Sequence, residues 1–292
     1  EAFGAHALGF ALAYGAVRLL HSVLYLVANR AGSGIRREVV RVAASTVVVV
    51  GLLLAAAWVG GPMRVALWCG VVALDWGTAL FGDERWGIVP RHFAERYNLM
   101  IIIALGESIV SLGVAADVEL TGPVVVSAAL GATIAAALWW MYFDVVSLIT
   151  ERRLEAAAEG RQRMALARDS YAYLHFPMVA GIVLAALGLK EGLHHVDRAL
   201  GIVHATALLG GIALYLLAHV ALRLRNARTV NWERLVAAVV LLALVPVALH
   251  VPALAATALA AAVAWAVIAY EAAFVYDERR YRLRHGLEVD PV

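Results

Sequence analysis

Several windows of about 20 residues carry almost no charge, and this restricts the chain more than any other feature. A helix of that length rises far enough to cross the ~30 Å hydrocarbon layer of a bilayer. In lipid every backbone N–H and C=O must be satisfied within the structure, so such runs span as helices. Composition agrees: 63% of the 292 residues are hydrophobic and 16% are charged, where soluble domains are nearer half and a quarter. The expected fold class is all-α, a polytopic integral membrane helical bundle of about nine transmembrane helices. The spans are read at about 6–28, 39–59, 65–81, 98–116, 124–148, 170–189, 199–222, 235–249 and 252–275. Gly60-Gly61-Pro62, Thr121-Gly122-Pro123 and His250-Val251-Pro252 mark turns between them.

Positive charge alternates along this scheme. Of the 24 Lys and Arg residues, twenty fall in every second connection, three (Arg64, Lys190, Arg198) in the others, and Arg18 within a span. Basic loops stay in the cytoplasm. The expected setting is therefore the bacterial cytoplasmic membrane, with the start of this chain outside and its C-terminus inside. Residues 151–168 form the longest inner connection and read as a short helix with a solvated face. The net charge of +2 has no clustering that suggests nucleic acid. Cys69 is the single cysteine, so no disulfide framework or zinc site forms within the chain. The sequence opens at Glu1 without a basic leader, and is read as trimmed or as starting inside a longer protein.

Ionisable groups inside spans are costly and point to function. Glu107 follows Asn98 by nine residues, roughly 13 Å along a helix axis, near the midplane. Arg18 lies at a similar depth in the first span. Tyr14, Arg18, His21 and Tyr25 share one helix face, which is expected to line the bundle interior. Arg18–Glu107 is the expected buried ion pair, either functional or fixing the packing. Asp144 and Asp75 lie in the inner halves of their spans; Asp144 faces the interior or snorkels. Tyr171, His175 and Arg168 share a face of the sixth span, where Asp169 or Ser170 can cap the helix and Pro177 can kink it. His175 can relay protons or serve as an ordinary hydrogen-bonded core residue. At the inner interface, His92 and Glu95 are three residues apart beside Arg96, and Glu95 suits a helix N-terminus. Without a convergent third ligand they imply no metal, and no cofactor is expected.

Spans 1–3 and 7–9 share a pattern. Leu24-Tyr25-Leu26-Val27-Ala28 closes the first span and Leu214-Tyr215-Leu216-Leu217-Ala218 the seventh. Trp68 precedes Asp75 as Trp265 precedes Glu271. A parallel internal repeat, common in transporters, is one reading, and chance similarity among Ala/Leu/Val helices the other.

His92-Phe93-Ala94-Glu95-Arg96, with Ile103-Ala104-Leu105-Gly106-Glu107-Ser108, resembles the signature of bacterial low temperature requirement A proteins. Trp139-Trp140-Met141-Tyr142-Phe143-Asp144, Ala167-Arg168-Asp169-Ser170-Tyr171 with Leu174-His175, and Leu217-Ala218-His219 extend the resemblance over nearly the whole chain. The family's acidic first helix and the two spans after it are absent from this sequence. The resemblance implies twelve spans in two sixes. Residues 1–292 would then be one transmembrane domain: 1–82 the remnant of a first half, 90–276 a second six-helix half, and 277–292 a cytoplasmic tail. The resemblance implies no settled biochemical activity.

The leading functional expectation is a transporter or channel-like protein for an unknown small solute or ion. Its polar centre would comprise Glu107, Arg18, His21, Asp144, His175, Asp75 and Tyr171. An inner-face motif would comprise His92, Glu95, Arg96, Ser108, Arg168 and Asp169. The alternatives are a membrane-embedded enzyme acting on a lipid-linked substrate and a structural or sensory membrane protein. The sequence has no phosphate loop, nucleophile elbow or H-E-x-x-H motif, so the balance falls against catalysis.

Overall fold

The computed structural model describes residues 6–28, 33–80, 88–114 and 121–274. Twelve α-helices among them join into nine continuous helical rods. They are α1 (Ala7–Ala28), α2 (Ser33–Trp58), α3 (Gly61–Leu80) and α4 (Pro90–Val114). Next come α5 (Gly122–Phe143) and α6 (Val146–Ala156), then α7 (Arg161–Leu166) and α8 (Leu174–His194). The last four are α9 (Ile202–Ala205), α10 (Gly211–Ala227), α11 (Trp232–Ala248) and α12 (Ala253–Phe274). The 122–156 rod is interrupted by a turn at Asp144–Val145. The 161–194 and 202–227 rods carry π-helical segments at Ala167–Tyr173 and Thr206–Gly210. Six rods are long and apolar enough to cross a membrane: those over α1, α2, α5–α6, α7–α8, α9–α10 and α12.

Lipid-facing character shows on the helix surfaces. Val17 is 65% exposed, Val47 67%, Val125 54% and Val183 53%. Outward valines on rods of this length suit a hydrocarbon surrounding rather than water. The proposed tail 277–292 and the loop residues Arg30, Asp83 and Arg85 lie outside the described residues.

The chain forms two compact units, residues 1–87 and 88–292. In the first, α1, α2 and α3 pack around Ala11, Val49, Leu53 and Val71. The left-handed backbone of Gly61 (φ 59°) turns the chain between α2 and α3. Arg64 Nε donates to the Val59 carbonyl, 2.7 Å away, beside the end of α2.

In the second unit, α8 and α10 cross in the middle of a larger core containing Met178, Ile182, Tyr215 and Leu216. Small residues let these backbones approach. A methyl group on Gly181 would lie 2.6 Å from the Gly211 carbonyl oxygen, and one on Gly211 would lie 2.6 Å from the Ala185 nitrogen. A smaller cluster of Ala94, Leu154, Ala167 and Tyr171 ties α4, α6 and the π-helical segment together.

The sixth rod differs from the sequence expectation. It begins at Arg161, so neither Asp169 nor Ser170 caps a helix, and the 151–168 connection divides between α6 and α7. Asp169 instead pairs with Arg168 (2.8 Å) and Arg225 (2.9 Å). The π-helical segment ends four residues before Pro177, whose missing N–H leaves the Tyr173 carbonyl without its α-helical donor.

Candidate functional site

The buried, hydrogen-bonded centre of the second unit is assembled from α4, α5, the π-helical segment, α8, α10, α11 and α12. The π-helical segment leaves the Ser170 carbonyl within 2.9 Å of His175 Nδ1, five residues ahead. A carbonyl only accepts, so Nδ1 carries hydrogen. The other ring nitrogen, Nε2, lies 2.7 Å from the hydroxyl of Tyr142 on α5. That hydroxyl is also 2.8 Å from Asn98 Oδ1 on α4. Tyr142 is fully buried and His175 is 1% exposed. Tyr171 stacks on the His175 ring at 5.1 Å and 10°.

These contacts allow two complete bonding patterns. With a neutral imidazole, Nε2 accepts the Tyr142 hydroxyl, and Asn98 presents its amide nitrogen to the phenol oxygen. With an imidazolium, Nε2–H donates to Tyr142, whose hydroxyl donates to Asn98 Oδ1. Tyrosine serves as donor and acceptor, and the asparagine amide offers both kinds of group. The chain Asn98–Tyr142–His175 therefore holds a proton on either side of one phenol without losing a hydrogen bond.

The centre continues on α10. His219 Nδ1 donates to the Tyr215 carbonyl at 3.0 Å, which leaves Nε2 of the neutral ring as an acceptor. That atom is buried without a hydrogen-bond partner. The His219 ring is 6.2 Å from Tyr142 and 4.4 Å from Tyr215. Tyr215 donates to the Leu138 carbonyl at 2.6 Å.

Beyond His219, Arg234 of α11 forms a bidentate pair with Glu271 of α12, Nε to Oε1 at 2.6 Å and Nη2 to Oε2 at 2.8 Å. Arg234 Nη2 also donates to the Met141 carbonyl at 3.2 Å. The two side chains are 2% and 4% exposed. Asn231 caps α11 by accepting from the Arg234 backbone N–H. A planar guanidinium matches a carboxylate in this arrangement better than an ammonium would.

The residues singled out in sequence fall into four places. His175 and Tyr171 belong to the buried centre. Arg18 and Asp75 meet in the first unit at 2.8 Å, with Tyr14 also donating to Asp75. The sequence expectation set Arg18 against Glu107; the partner that the first unit itself gives Arg18 is Asp75. Depth along a helix axis matches Arg18 to Glu107, but depth alone does not specify a partner. Glu107 lies exposed on α4, on the same face as exposed Ile103 and Val110. His21 is exposed rather than inward, and the Tyr25 side chain lies outside the described residues. Asp144 is half-buried at the break between α5 and α6.

The inner-face residues do not converge into one site. His92 and Glu95 bond to each other at 3.1 Å on the exposed first turn of α4, with Arg91 adding at 3.3 Å. The His92 hydrogen bond, helped by Arg91, holds the Glu95 carboxyl below its ordinary range. Arg96 is exposed, Ser108 donates to the Ala104 carbonyl, and Arg168 and Asp169 are bound to each other. Among the described residues, no three His, Cys, Asp or Glu side chains group as a metal site requires.

Sequence reasoning missed Arg234, Glu271 and His219 as members of the centre. Glu271 is visible in sequence as a carboxylate within a span. Arg234 falls one residue before the span read at 235–249, so it counts as a loop arginine. Tyr215 and His219, one helical turn apart, were a weak signal of the same polar stripe.

The fold and centre define a helical membrane protein with an ion-paired, hydrogen-bonded interior. A family model described as bacterial low temperature requirement A protein (LtrA) matches residues 1–269. The chain belongs to that family. It is similar to an uncharacterized protein of Rhizobium meliloti (strain 1021), 29% identical over 230 residues, covering 74% of this chain and 55% of that protein. The chain thus spans about half the length of the curated relative it matches. No solved structure matches it.

Proposed function

We propose that the protein is a proton-linked transporter or channel-like protein for a small solute or ion in the bacterial cytoplasmic membrane. Its Arg-rich helix ends would face the cytoplasm, in keeping with the charge distribution. The path would run through the second unit, past Asn98, Tyr142, His175 and His219. Arg18, His21, Asp75 and Glu107 are left out of it.

The observation that carries the reading is the Tyr142 bridge between His175 and Asn98. Two balanced proton arrangements in a membrane interior suit a relay. A dry core has no reason to retain a histidine when a packed apolar residue fills the same volume without the cost of burying polar groups. Buried imidazoles are found along the proton routes of membrane pumps and transporters.

Reconstitution tests it. The chain in proteoliposomes, carrying an internal pH dye, is given a pH gradient and perfused with a panel of inorganic ions, carboxylates, phosphates, amines and sugars. Solute-dependent proton movement above protein-free vesicles is expected. His175→Gln should abolish it, and Tyr142→Phe should reduce it. A folded protein that moves neither protons nor current with any class, or a His175→Gln variant equal to the parent, overturns the reading.

A further inference from the structure

We propose that the cavity between α6, α10 and α11 is a water-filled port through which the buried His219 imidazole exchanges protons with the aqueous phase. Two matching helix faces build it. Val146, Ile149, Thr150 and Arg153 of α6 recur at i, i+3, i+4 and i+7, and so do His219, Leu222, Arg223 and Asn226 of α10. The α6 face passes from Val146 and Ile149 to half-exposed Arg153. The α10 face passes from buried His219 and Leu222 to half-exposed Arg223 and Asn226. Asn231 and Arg234 form a third side at the start of α11. The space amounts to about 60 Å³, room for a few waters.

The deep end of the port presents an acceptor. His219 is 2% exposed. Its Nδ1 is held by the Tyr215 carbonyl of its own helix, so the Nε2 edge of the ring turns away from the α10 backbone. No protein donor reaches Nε2. The sides present donors instead. Asn231 spends its side-chain oxygen on the Arg234 backbone N–H, and Asn226 spends its own on the Ser170 hydroxyl. Each amide therefore has its NH2 left to offer. An occupant has to donate at the bottom and accept along the sides. Water does both, and fits the volume.

Such a water is bonded in both charge states of the ring. It donates to Nε2 of the neutral imidazole. When a proton passes from hydronium through this water to Nε2, the imidazolium donates back to the water and keeps its Nδ1 bond to Tyr215. The reverse step returns the proton to solvent. Arg234 of α11, Arg153 of α6 and Arg223 of α10 share the cavity with the ring, and Glu271 of α12 balances Arg234. Tyr215 and Tyr142 face the ring at 4.4 and 6.2 Å. Tyr142 is itself bonded to His175 of α8, so a proton on His219 stands one aromatic ring from the Asn98–Tyr142–His175 chain. The port rests on the proposed function only for where the proton goes next.

The test places the full chain in nanodiscs in D2O and follows deuterium uptake at the imidazole Cε1–H, by mass spectrometry of the peptides holding His219 and His175. This exchange requires water at the ring. His175 is the internal control, equally buried and with both nitrogens engaged by protein groups. His219 should exchange roughly tenfold or more faster than His175, which needs local opening first. Ala227→Phe, which fills the cavity from a half-exposed position, should slow His219 to the His175 rate. Val146→Ala, which widens it, should speed His219. Gel filtration checks folding, and if Ala227→Phe fails to fold, Val146→Ala decides alone. Equal protection of the two histidines in the parent, or a His219 rate unmoved in the folded variants, overturns the proposal. Fast His219 exchange without flux keeps the port and removes the transport reading; flux with His219 as protected as His175 does the reverse.

Discussion

In the first unit Arg18 meets Asp75 with 29% and 24% of the two side chains exposed. In the second, Arg234 meets Glu271 with 2% and 4% exposed. Arg18 makes a single 2.8 Å contact with one carboxylate oxygen, whereas Arg234 grips both. The packing differs in the same direction. A methyl on Gly15 of α1 would meet the Val50 side chain at 3.0 Å, while one on Gly211 of α10 would strike backbone at 2.6 Å. Where the surroundings exclude water, attraction between charges strengthens, and so does the penalty for leaving either one alone. The second unit thus depends on its pair in a way the first does not.

The sharpest way to break this comparison is Glu271→Ala. It strands a buried guanidinium and should destabilise the protein by about 3–5 kcal/mol, read as a large drop in the thermal or SDS unfolding midpoint. Replacing both partners, Arg234→Met with Glu271→Leu, should return most of that loss, since paired apolar replacements are often neutral. If the double variant is stable yet inactive in the flux assay, the pair has a role beyond packing. Next in size is Gly211→Ala, expected to cost about 1–3 kcal/mol because the α8–α10 crossing must open. Gly15→Ala should cost less, since its closest contact is a side-chain methyl at 3.0 Å that needs a shift of only a few tenths of an ångström. Asp75→Asn should cost no more than about 1 kcal/mol, as expected for a pair that keeps part of its solvent exposure. A loss as large as that of Glu271→Ala would erase the distinction between the units.

The smallest effect lies at the exposed turn of α4. His92→Ala should raise the Glu95 pKa toward its ordinary value, measured by carboxyl NMR titration. Because His92 and Arg91 hold that pKa down, their contribution is present above the usual carboxylate range and fades as pH falls through the lowered value. A Glu95 titration unmoved by His92→Ala would remove the histidine as the cause.

The rods were legible because span length and lack of charge are local properties, and α1, the α9–α10 rod and α12 lie close to where hydropathy puts them. The shorter α11, Trp232–Ala248, is also visible, read at 235–249 before the His250-Val251-Pro252 turn. The pairing of charges was not legible. Arg18 and Glu107 have similar depths, yet the Arg18 partner lies on α3. Arg234 has polar neighbours on its N-terminal side, which reads as a loop, but α12 brings a carboxylate over it. His175 was visible as a residue and invisible as a junction, since its partners stand 33 residues away on α5 and at the π-helical carbonyl of Ser170.

That π-helical segment has a consequence for helical phase. A π turn holds one more residue than the α turn it replaces, so the rod before Ala167 and the rod after Tyr173 are set at different rotations. Deleting one residue between them would restore an unbroken α-helix and turn everything on one side by roughly 100°. Either His175 would leave Tyr142 or Asp169 would leave Arg225. The extra residue lets one rod keep a salt bridge at its charged end and an imidazole in its apolar stretch, each aimed at a different neighbour. Insertions and deletions in this stretch should therefore be far less tolerated than substitutions.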